Sequence, residues 1–378
     1  MRKICIVCDG YWDQLQGGAE YQLYLMAHEL ADRGHDVSYV FVDRGTPIRQ
    51  TSVKLIPLRI GRVVKRVFYP YHFLLFFRLQ RCLEEIKPDF VINRVGNGLT
   101  GICARFCRKS SARMIWHIAN ETDLIPLEIK FKRTMLCSII DKRLLEYGLR
   151  NSTYVVAQAM YQAELLKRRY GRDTDLILPN FHPQPRDEVH KANPLKVVWI
   201  ANIKPKKQPQ RFIELAQHFS GREDVQFVMV GRPESERFRR EIESLVAGMD
   251  NLEYLGELPI EEVNRILSTA HIFVNTSIYE GFPNTFIQAW MREAVVVSLH
   301  LDPDDVLKNN GVGFHCGTAE QMTRDVEALL NDVDMGRGIG QRARQYALRQ
   351  HDLATNINRL EGFMQQALAQ TARPPQPQ

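Results

Sequence analysis

Short apolar runs alternate with segments of helical periodicity through the first half of the chain. The apolar runs predict seven strands, at residues 3–8, 36–42, 53–57, 90–93, 113–118, 153–157 and 176–178. Helical patterns fill most of the gaps between them. Because strands that alternate with helices form parallel sheets with helices on both faces, the N-terminal half is predicted to be a doubly wound, Rossmann-like α/β domain.

The alternation breaks after the seventh strand and then starts again. The break contains Pro179, Pro183, Pro185 and Pro194 with charged residues between them, and neither a helix nor a central strand accepts such a segment. Beyond it we predict strands at residues 196–201, 225–230, 252–255, 271–275 and 295–298, and helices from residue 318 to about 370. Two similar α/β halves joined by one linker imply a cleft between them.

The break sets the domain boundaries. We predict an N-terminal domain over residues 1–185, an interdomain linker over 186–195, a C-terminal domain over 196–370 that includes the C-terminal helices, and a proline-rich, disordered tail over 371–378.

One segment of the second half combines two kinds of binding group. Glu280-Gly281-Phe282-Pro283 follows the strand at 271–275 and leads into a helical pattern, so it lies where α/β folds bind ligands. Gly281 permits close approach of the backbone, and the amides and dipole of the helix start favour an anion such as a pyrophosphate. The Glu280 carboxylate would repel an anion and suits hydroxyl groups instead. A ligand that carries both groups is a nucleotide sugar.

The length and composition agree with a two-domain soluble protein. The chain has 378 residues, of which 44% are hydrophobic and 25% charged, which is too long for one ordinary core. No apolar run approaches the roughly 20 residues that span a bilayer, and the first strand begins at Lys3, too early for a signal peptide. We therefore expect a cytoplasmic protein, or one on the cytoplasmic face of a membrane.

The seven cysteines are predicted to be reduced packing residues. Cys5 and Cys8 have a Cys-x-x-Cys spacing, but in a strand their side chains point to opposite faces and cannot share a metal. Cys103 and Cys107 lie one helical turn apart with no nearby His or Cys partner.

The loop after the first strand lacks a dinucleotide fingerprint. It enters an amphipathic helix through Gly17-Gly18-Ala19-Glu20 without a Gly-x-Gly-x-x-Gly motif, which counts against a dinucleotide-dependent dehydrogenase. From the residues alone, Gly17 and Gly18 are either a flexible helix entry or a ligand-facing loop.

Three motifs together resemble glycosyltransferase family 4, a large retaining family with the GT-B fold. They are the Gly17-Gly18-Ala19-Glu20 helix entry with Gly34-His35-Asp36-Val37 after the helix, the loop from Trp199 to Gln208, and Glu280-Gly281-Phe282-Pro283-Asn284, which is similar to the start of the family's Glu-x7-Glu motif. The likeness covers nearly the whole chain and is greatest to members of bacterial capsule, exopolysaccharide and lipopolysaccharide clusters. It implies that the N-terminal domain takes the acceptor and the C-terminal domain the nucleotide-sugar donor.

The resemblance also implies roles for individual residues. Lys207 matches the lysine that pairs with the donor diphosphate, where negative charge grows as the glycosidic bond breaks, and Glu280 matches the residue that holds the sugar hydroxyls. Two family residues are replaced: an arginine by Asn202, which removes a bidentate phosphate contact, and the ribose-binding glutamate by Gln288. The expected donor-binding residues are Gly17, Gly18, Asn202, Lys207, Glu280, Gly281, Phe282, Pro283, Asn284, Thr285 and Gln288.

His117 completes the expected catalytic set with Lys207 and Glu280. It lies at the predicted carboxyl end of a strand and resembles the family's active-site histidine near the donor sugar; the alternative is a structural histidine at a strand end. Arg94 lies at an equivalent strand end and is interpreted as a surface arginine.

The implied reaction transfers a hexose-type residue from a UDP- or GDP-linked donor to a hydroxyl acceptor, with retention at the anomeric carbon. Family members are thought to use front-side attack, in which the leaving phosphate takes the acceptor's proton. Since no cluster of carboxylates suggests a metal site, and the lysine and helix amides replace one, we expect no metal requirement and no other cofactor.

Two other functions stay open. A UDP-N-acetylglucosamine 2-epimerase of the same fold would need acid-base carboxylates in the N-terminal half, where Asp13, Glu121 and Asp123 are the candidates. A non-catalytic sugar-nucleotide-binding partner would be consistent with the replacements at Asn202 and Gln288.

The two halves differ in charge. Residues 1–185 hold 28 Lys and Arg against 18 Asp and Glu, and the remainder holds 22 against 26. The basic residues Arg59, Arg62, Lys65 and Arg66 precede an aromatic run at 68–77, and residues 130–133 form a second basic segment. Because an anionic bilayer attracts basic residues next to aromatics, we predict that this face docks on the inner leaflet of the plasma membrane, near a lipid-linked acceptor. Buried aromatics with a solvated basic rim are the alternative, and nucleic acid is disfavoured for want of a recognition motif.

Overall fold

The computed structural model describes residues 1–125, 135–186 and 188–369. The chain divides into two compact units, one formed by Met1–Asn180 with Leu353–Gln378 and the other by Phe181–Asp352. We call these the first unit and the second unit. The predicted tail at 371–378 lies outside the described residues.

The first unit contains a parallel sheet of seven strands within the described residues, in the order β3-β2-β1-β4-β5-β6-β7. The strands are β1 (Lys3–Cys8), β2 (Asp36–Val42), β3 (Lys54–Leu58), β4 (Phe90–Arg94), β5 (Arg113–His117), β6 (Tyr154–Ala157) and β7 (Leu176–Ile177). Their residues are mostly apolar and buried, as expected for parallel strands covered on both faces. The strand order reverses between β1 and β4, which makes the carboxyl ends of these two strands the expected ligand position.

The helices of the first unit, apart from the last, follow the strands in chain order. They are α1 (Gly18–Asp32), α2 (Arg62–Val67), α3 (Phe76–Ile86), α4 (Gly98–Cys107), α5 (Met135–Asn151) and α6 (Met160–Tyr170), with short 3₁₀ turns at His72–Leu75 and Glu121–Leu124. Most of them bury an apolar face against the sheet, but α2 buries none of its residues.

The second unit repeats the same plan. Its parallel sheet has the order β10-β9-β8-β11-β12-β13, with β8 (Leu195–Ile200), β9 (Val225–Val230), β10 (Leu252–Tyr254), β11 (Ile272–Asn275), β12 (Val295–Ser298) and β13 (Gly313–His315). The helices are α7 (Pro209–His218), α8 (Glu236–Val246), α9 (Ile260–Thr269), α10 (Asn284–Trp290), α11 (Val306–Asn310), α12 (Ala319–Asn331) and α13 (Val333–Gln350), with 3₁₀ turns at Pro205–Lys207 and Pro303–Asp305. Two Rossmann-like units with parallel sheets confirm the predicted fold class.

The last helix, α14 (Leu353–Ala369), belongs to the first unit. Glu361 on α14 accepts hydrogen bonds from Arg33 Nη1 at 2.6 Å and from His35 Nε2 at 2.8 Å, and the ring of Phe363 lies 5.1 Å from that of Tyr154. The sequence analysis had placed this helix in the C-terminal domain, at 196–370. Helical periodicity shows that one face of a helix is apolar, but it does not show which surface that face packs against. The position of α14 in the sequence, next to the second unit, therefore did not indicate the unit to which it belongs.

The predicted elements match the structure with small shifts at their ends. All twelve predicted strands are present, whereas β13, only three residues long, was not predicted. All seven cysteines are free thiols, and Cys5, Cys8, Cys103 and Cys107 are buried. No helix among the described residues has the length and apolar character needed to cross a membrane.

Candidate active site

The candidate site of the second unit lies in two loops at the carboxyl ends of β8 and β11. These strands are neighbours in the sheet, at the point where the strand order reverses. Helices that follow such neighbouring strands lie on opposite faces, which leaves a crevice for a ligand between the two loops. The loop after β8 carries Lys207 and the loop after β11 carries Glu280, so the fold brings together two residues that are 73 positions apart in the sequence.

Lys207 and Glu280 form an ion pair. Lys207 Nζ lies 2.7 Å from Glu280 Oε2, and their side chains are only 14% and 19% exposed. The Glu280 Oε1 atom accepts a hydrogen bond from Asn275 Nδ2 at 3.3 Å. Burial by itself would raise the pKa of Glu280, but the Lys207 charge, with hydrogen bonds from Lys207, Ser277 and Asn275, outweighs it and lowers that pKa. Glu280 is therefore an ionised carboxylate whose position is fixed on both oxygens.

The backbone also joins the two loops. Thr276 Oγ1 donates to the Lys207 carbonyl oxygen at 2.6 Å, and the Ile278 amide donates to the Lys206 carbonyl oxygen at 2.9 Å. The Lys206 ammonium lies 5.0 Å from the centroid of the Tyr279 ring, in cation-π contact. These contacts hold the loop after β8, which carries Lys207, against the loop after β11, which carries Glu280.

The residues after Glu280 anchor the loop to the core. Phe282 is buried, and its ring lies 5.0 Å from that of His351 and 6.1 Å from that of Trp290. Pro283 takes the N-cap position of α10. Gly281 and Phe282 thus lie between a fixed carboxylate and a fixed helix start.

The remaining predicted donor-binding residues of the second unit take varied positions. Asn284 and Thr285 form the half-buried first turn of α10, and Asn202 is half-buried in the loop after β8. Gln288 is buried on α10, and its Nε2 atom donates to Asn264 Oδ1 at 3.0 Å. This bond fixes the orientation of the Gln288 amide.

Gly17 and Gly18 lie at the start of α1 in the first unit, where Gly17 is the N-cap residue. A Cβ atom on Gly17 would overlap the Glu20 carboxylate, which folds back over the loop. Burial raises the pKa of Glu20, and the nearby Asp9 charge adds to that rise. A side chain at position 17 would therefore displace the end of the Glu20 side chain from the loop.

His117 ends β5 and is buried. Its ring makes a hydrogen bond to the backbone of Leu178, and its Nε2 atom has no hydrogen-bond partner among the described residues. Burial, with the neighbouring Arg94 charge, lowers the pKa of His117 well below 6.5. A neutral imidazole of this kind has one polar nitrogen left for a further contact, and its predicted catalytic role stays a prediction.

Arg94 is not the surface arginine that the sequence suggested. It ends β4, pairs in register with His117, and is 1% exposed. Its Nη2 atom donates to Asn180 Oδ1 at 2.6 Å, and burial lowers its pKa to about 10. The next residue, Val95, has a positive φ of 74°, which is strained for a β-branched side chain. The carboxyl ends of β4 and β5 therefore form a buried polar cluster that strand-end position alone did not predict.

A second buried cluster in the first unit was missed by the sequence analysis. His72 lies between two carboxylates, with Nδ1 2.7 Å from Asp141 Oδ1 and Nε2 3.1 Å from Asp9 Oδ1. Burial alone would lower the pKa of His72, but the hydrogen bonds to Asp141 and Asp9 and their charges raise it to about 9. The three residues come from distant parts of the chain, so no local sequence pattern predicted that they form a cluster.

Of the predicted membrane-facing residues, Arg62, Lys65 and Arg66 lie on α2 and Arg59 precedes it. Arg62 and Arg66 are exposed, whereas Lys65 is half-buried and donates to the Asp43 carbonyl oxygen at 2.6 Å. Large apolar side chains are exposed on and after α2, namely Val63 at 75%, Val67 at 53%, Tyr69 at 63% and Phe77 at 84%. We call these exposed residues, with Arg62 and Arg66, the α2 surface. The second basic segment, at 130–133, lies outside the described residues.

The described part of the chain holds no group of three or more His, Cys, Asp or Glu side chains placed to bind a metal ion.

Comparison with known families divides the chain at the boundary between the two units. Residues 16–180 match the model described as Glycosyltransferase Family 4, and residues 181–346 match the model described as Glycosyl transferases group 1. A curated relative, Glycosyltransferase 1 domain-containing protein 1 from Xenopus tropicalis, is 21% identical over 165 residues, and the match spans 43% of this chain and 48% of the relative. The chain thus spans about half the length of this relative.

Solved structures resemble the whole chain. Sucrose-phosphate synthase from Thermosynechococcus elongatus has a TM-score of 0.75 at 15% identity, over 97% of this chain and 100% of that one. HepE from Anabaena in complex with UDP has a TM-score of 0.74 at 15% identity, over 96% and 100%. A glycosyltransferase from Rickettsia africae has a TM-score of 0.74 at 14% identity, over 98% and 100%. At these identities the likeness establishes the fold alone. In addition, each of the two units matches one of the two glycosyltransferase models.

Proposed function

The chain carries two glycosyltransferase domains in the GT-B fold, and from this premise we propose that it moves a hexose-type sugar from a nucleoside diphosphate sugar to a hydroxyl group of a glycan or lipid-linked acceptor. The donor is proposed to be UDP- or GDP-linked, and the reaction to retain the configuration at the anomeric carbon, as in glycosyltransferase family 4. A structural relative, HepE from Anabaena, is known in complex with UDP-glucose, which supports a nucleotide sugar as the ligand class. We place the reaction in bacterial surface polysaccharide synthesis.

The Lys207–Glu280 pair is the observation that carries this proposal. A cation and an ionised carboxylate 2.7 Å apart, at the strand-order reversal of the second unit, present opposite charges to one ligand. The cation suits a diphosphate, and the carboxylate accepts hydrogen bonds from sugar hydroxyls. A nucleotide sugar has both groups next to each other, on either side of the bond that breaks.

The chemistry assigned to these residues is electrostatic. Lys207 stabilises the negative charge that grows on the departing diphosphate, and Glu280 orients the sugar through its hydroxyls. In front-side attack the leaving phosphate oxygen takes the acceptor's proton, so no side-chain base is required. We propose that the reaction is independent of metal ions because Lys207 and the main-chain amides beside Glu280 supply the stabilisation that a metal would give.

The acceptor is assigned to the first unit, and the α2 surface is proposed to hold that unit on an anionic membrane. Exposed apolar side chains next to Arg62 and Arg66 suit the boundary between acyl chains and headgroups. A lipid-linked acceptor would then be present at high local concentration, and the protein would be peripheral on the inner face of the plasma membrane.

Two of the three carboxylates that an epimerase would need, Asp123 and Asp13, already have partners in the protein. Asp123 Oδ2 accepts hydrogen bonds from the amides of Ala119 and Asn120, as part of a capping box. Asp13 is paired with Arg49 at 3.0 Å, and Glu121 is exposed. These contacts favour the transferase over the epimerase.

A panel of nucleotide sugars tests the proposed function. Donors of the UDP and GDP series are screened by thermal shift, since a ligand present well above its dissociation constant raises the melting temperature. The best donor is then incubated in radiolabelled form with a bacterial lipid extract. Label in the lipid or glycan fraction is the expected result, and an epimerised donor would establish the epimerase instead. Binding without turnover would leave a sugar-nucleotide-binding partner, and absence of any stabilisation by all donors would overturn the proposal.

A further inference from the structure

We propose that Thr276 is a positioning residue of the donor site, whose buried hydroxyl links the indole of Trp199 to the carbonyl oxygen of Lys207 and so fixes the Lys207 ammonium opposite Glu280. The inference rests on the proposed function, because it concerns how the two residues assigned to the donor are held. Thr276 lies directly after β11 and is not among the residues that the motifs single out.

The hydroxyl of Thr276 takes part in two short hydrogen bonds. It donates to the Lys207 carbonyl oxygen at 2.6 Å and accepts from Trp199 Nε1 at 2.9 Å. Thr276 is completely buried and Trp199 is 2% exposed, so water does not compete for these bonds. An isolated Thr hydroxyl can turn about its Cβ–Oγ bond, but one partner that accepts its proton and another that donates to its oxygen fix its orientation.

Lys207 needs such a support because its own segment is short. It ends a 3₁₀ turn of three residues, Pro205–Lys207, and the next residue, Gln208, has a positive φ of 45°. Within the turn, the Lys207 amide donates to the Lys204 carbonyl oxygen at 2.9 Å. The bond from Thr276 connects the Lys207 carbonyl group itself to the end of β11, the strand that leads to Glu280, and the bond from the Ile278 amide to the Lys206 carbonyl oxygen lies beside it.

Trp199 extends this link into the core of the second unit. It belongs to β8, and its ring stacks on that of Phe212 in α7 at a centroid distance of 6.4 Å. The path Phe212, Trp199, Thr276, Lys207 therefore runs from the packed interior to the candidate site. Since shifts of about 1 Å in a reacting group can cost 100-fold in rate, loss of this link should be visible in catalysis.

The test compares three variants. Thr276→Val keeps the size of the side chain and removes the hydroxyl, whereas Thr276→Ser keeps the hydroxyl and removes the methyl group. Ser152→Ala is the matched control: Ser152 is a buried hydroxyl that donates to the Gly148 carbonyl oxygen at 2.6 Å, but in the first unit. Melting temperatures, dissociation constants for the free nucleoside diphosphate, and kcat and KM for sugar transfer are measured for each variant at a temperature well below the lowest melting point.

We expect Thr276→Val to lower kcat at least tenfold, and Thr276→Ser to restore most of the activity. Ser152→Ala should lose melting temperature to a similar extent but keep the wild-type kcat. A purely structural role predicts instead that Thr276→Val loses melting temperature and keeps the wild-type kcat, and that result would overturn the inference.

A second measurement, by NMR, detects the hydrogen bond between Trp199 and Thr276 without the need for turnover. The chain has four tryptophans, so the indole N–H resonance of Trp199 can be assigned by comparison with Trp199→Phe. This resonance should shift when the nucleoside diphosphate is added to the wild-type protein, and the shift should be smaller in Thr276→Val. A ligand that binds without moving the Trp199 resonance would contradict the inference alone, whereas failure of any nucleoside diphosphate to bind the wild-type protein would contradict the proposed function.

Discussion

At the scale of single residues, Lys207 and Glu280 are paired with each other. The Lys207 ammonium lies 2.7 Å from a Glu280 oxygen, although the two residues are assigned to different parts of the donor. A ligand that contacts both residues must therefore exchange this largely buried ion pair for contacts with its diphosphate and its sugar. Breaking a buried pair leaves a charge without compensation, which is costly unless the ligand supplies replacement partners for both residues.

The first prediction is that Lys207→Ala loses transition-state stabilisation. With Asn202 in place of an arginine, Lys207 carries much of the positive charge near the diphosphate, so we expect a loss of roughly 2 to 4 kcal/mol, chiefly in kcat. Steady-state kinetics with a saturating acceptor measure it. Lys206→Ala is the matched control, because the Lys206 side chain stacks on Tyr279 and does not pair with Glu280. Near-wild-type turnover in Lys207→Ala would refute the assignment to the diphosphate.

The second prediction is that Glu280→Gln binds the free nucleoside diphosphate more tightly than the wild type does. From the sequence alone, this variant would leave nucleotide affinity nearly unchanged, because Glu280 is assigned to the sugar. The ion pair changes that expectation: in the variant, Lys207 no longer gives up a carboxylate when it meets the phosphate. We expect an increase of several-fold by titration calorimetry, together with loss of sugar transfer. Unchanged or weaker nucleotide binding would show that the pair does not compete with the ligand.

At the scale of elements, the His72 cluster joins three pieces of the first unit. His72 begins the 3₁₀ turn His72–Leu75, Asp9 follows β1, and Asp141 lies on α5. Asp9 also accepts hydrogen bonds from Arg44 Nη2 at 2.8 Å and from the Tyr71 hydroxyl at 3.3 Å. The segment between β3 and α3 is thereby tied to the sheet through charged side chains, in addition to the apolar packing of Tyr71 and Leu75.

The third prediction follows from the charge of His72. Its pKa rises from 6.5 to about 9 on folding, so the folded state favours the protonated form by roughly 3 kcal/mol. A raised pKa gives stability that is complete below pH 6.5 and is lost as the pH rises through about 9. The difference in unfolding free energy between the wild type and His72→Asn should therefore be largest at pH 6 and shrink towards pH 10, as measured by urea unfolding.

A histidine on the surface provides the control for this pH dependence. His190 is 79% exposed and contacts Glu188 at 3.5 Å, so His190→Asn should unfold like the wild type at every pH because exposed pairs contribute little. If the difference between the wild type and His72→Asn is the same at pH 6 and pH 10, His72 is not held as a cation.

At the scale of the whole molecule, charge and exposed apolar area coincide on the α2 surface. The N-terminal 185 residues carry the excess of positive charge, and α2 presents Val63 and Val67 to solvent beside Arg62 and Arg66. Exposed apolar patches rimmed by charges are typical of surfaces that bind a membrane or a partner. The sequence predicted the basic residues, and the structure adds that α2 buries no residue of its own.

The fourth prediction is that the protein sediments with vesicles containing phosphatidylglycerol at low salt and is released as salt rises through a few hundred millimolar. Arg62→Glu with Arg66→Glu should abolish this binding, and Val63→Ser with Phe77→Ser should weaken it at all salt concentrations. Lys65 is left unchanged in these variants because its ammonium also donates a hydrogen bond to the Asp43 carbonyl oxygen.

Reversal of two charges on the second unit controls for net charge. Arg239 and Arg265 are exposed and paired with Glu236 and Glu262 on their own helices. Arg239→Glu with Arg265→Glu changes the total charge by the same amount as the α2 variant but should leave vesicle binding intact. If the wild-type protein does not sediment with anionic vesicles at low salt, the proposed membrane docking is wrong and a soluble acceptor is favoured.

The sequence by itself determined the two-unit α/β fold and the candidate donor site. Both depend on local signals: apolar runs of strand length alternate with helical periods, and Glu280-Gly281-Phe282-Pro283 and Lys207 each follow a buried strand. The assignment of Lys207 to the donor came from the family resemblance, and the sheet order then showed that the loops after β8 and β11 are neighbours.

Only the tertiary structure decided which distant residues touch. The burial of Arg94, the placement of His72 between Asp9 and Asp141, the link from Thr276 to Lys207 and the packing of α14 on the first unit all join segments far apart in the chain. Periodicity records which face of an element is apolar, but it does not record strand order or the partner that a polar side chain meets. Those contacts depend on how the elements are arranged in space, and they turn a set of motifs into a site whose charges are paired and held in place.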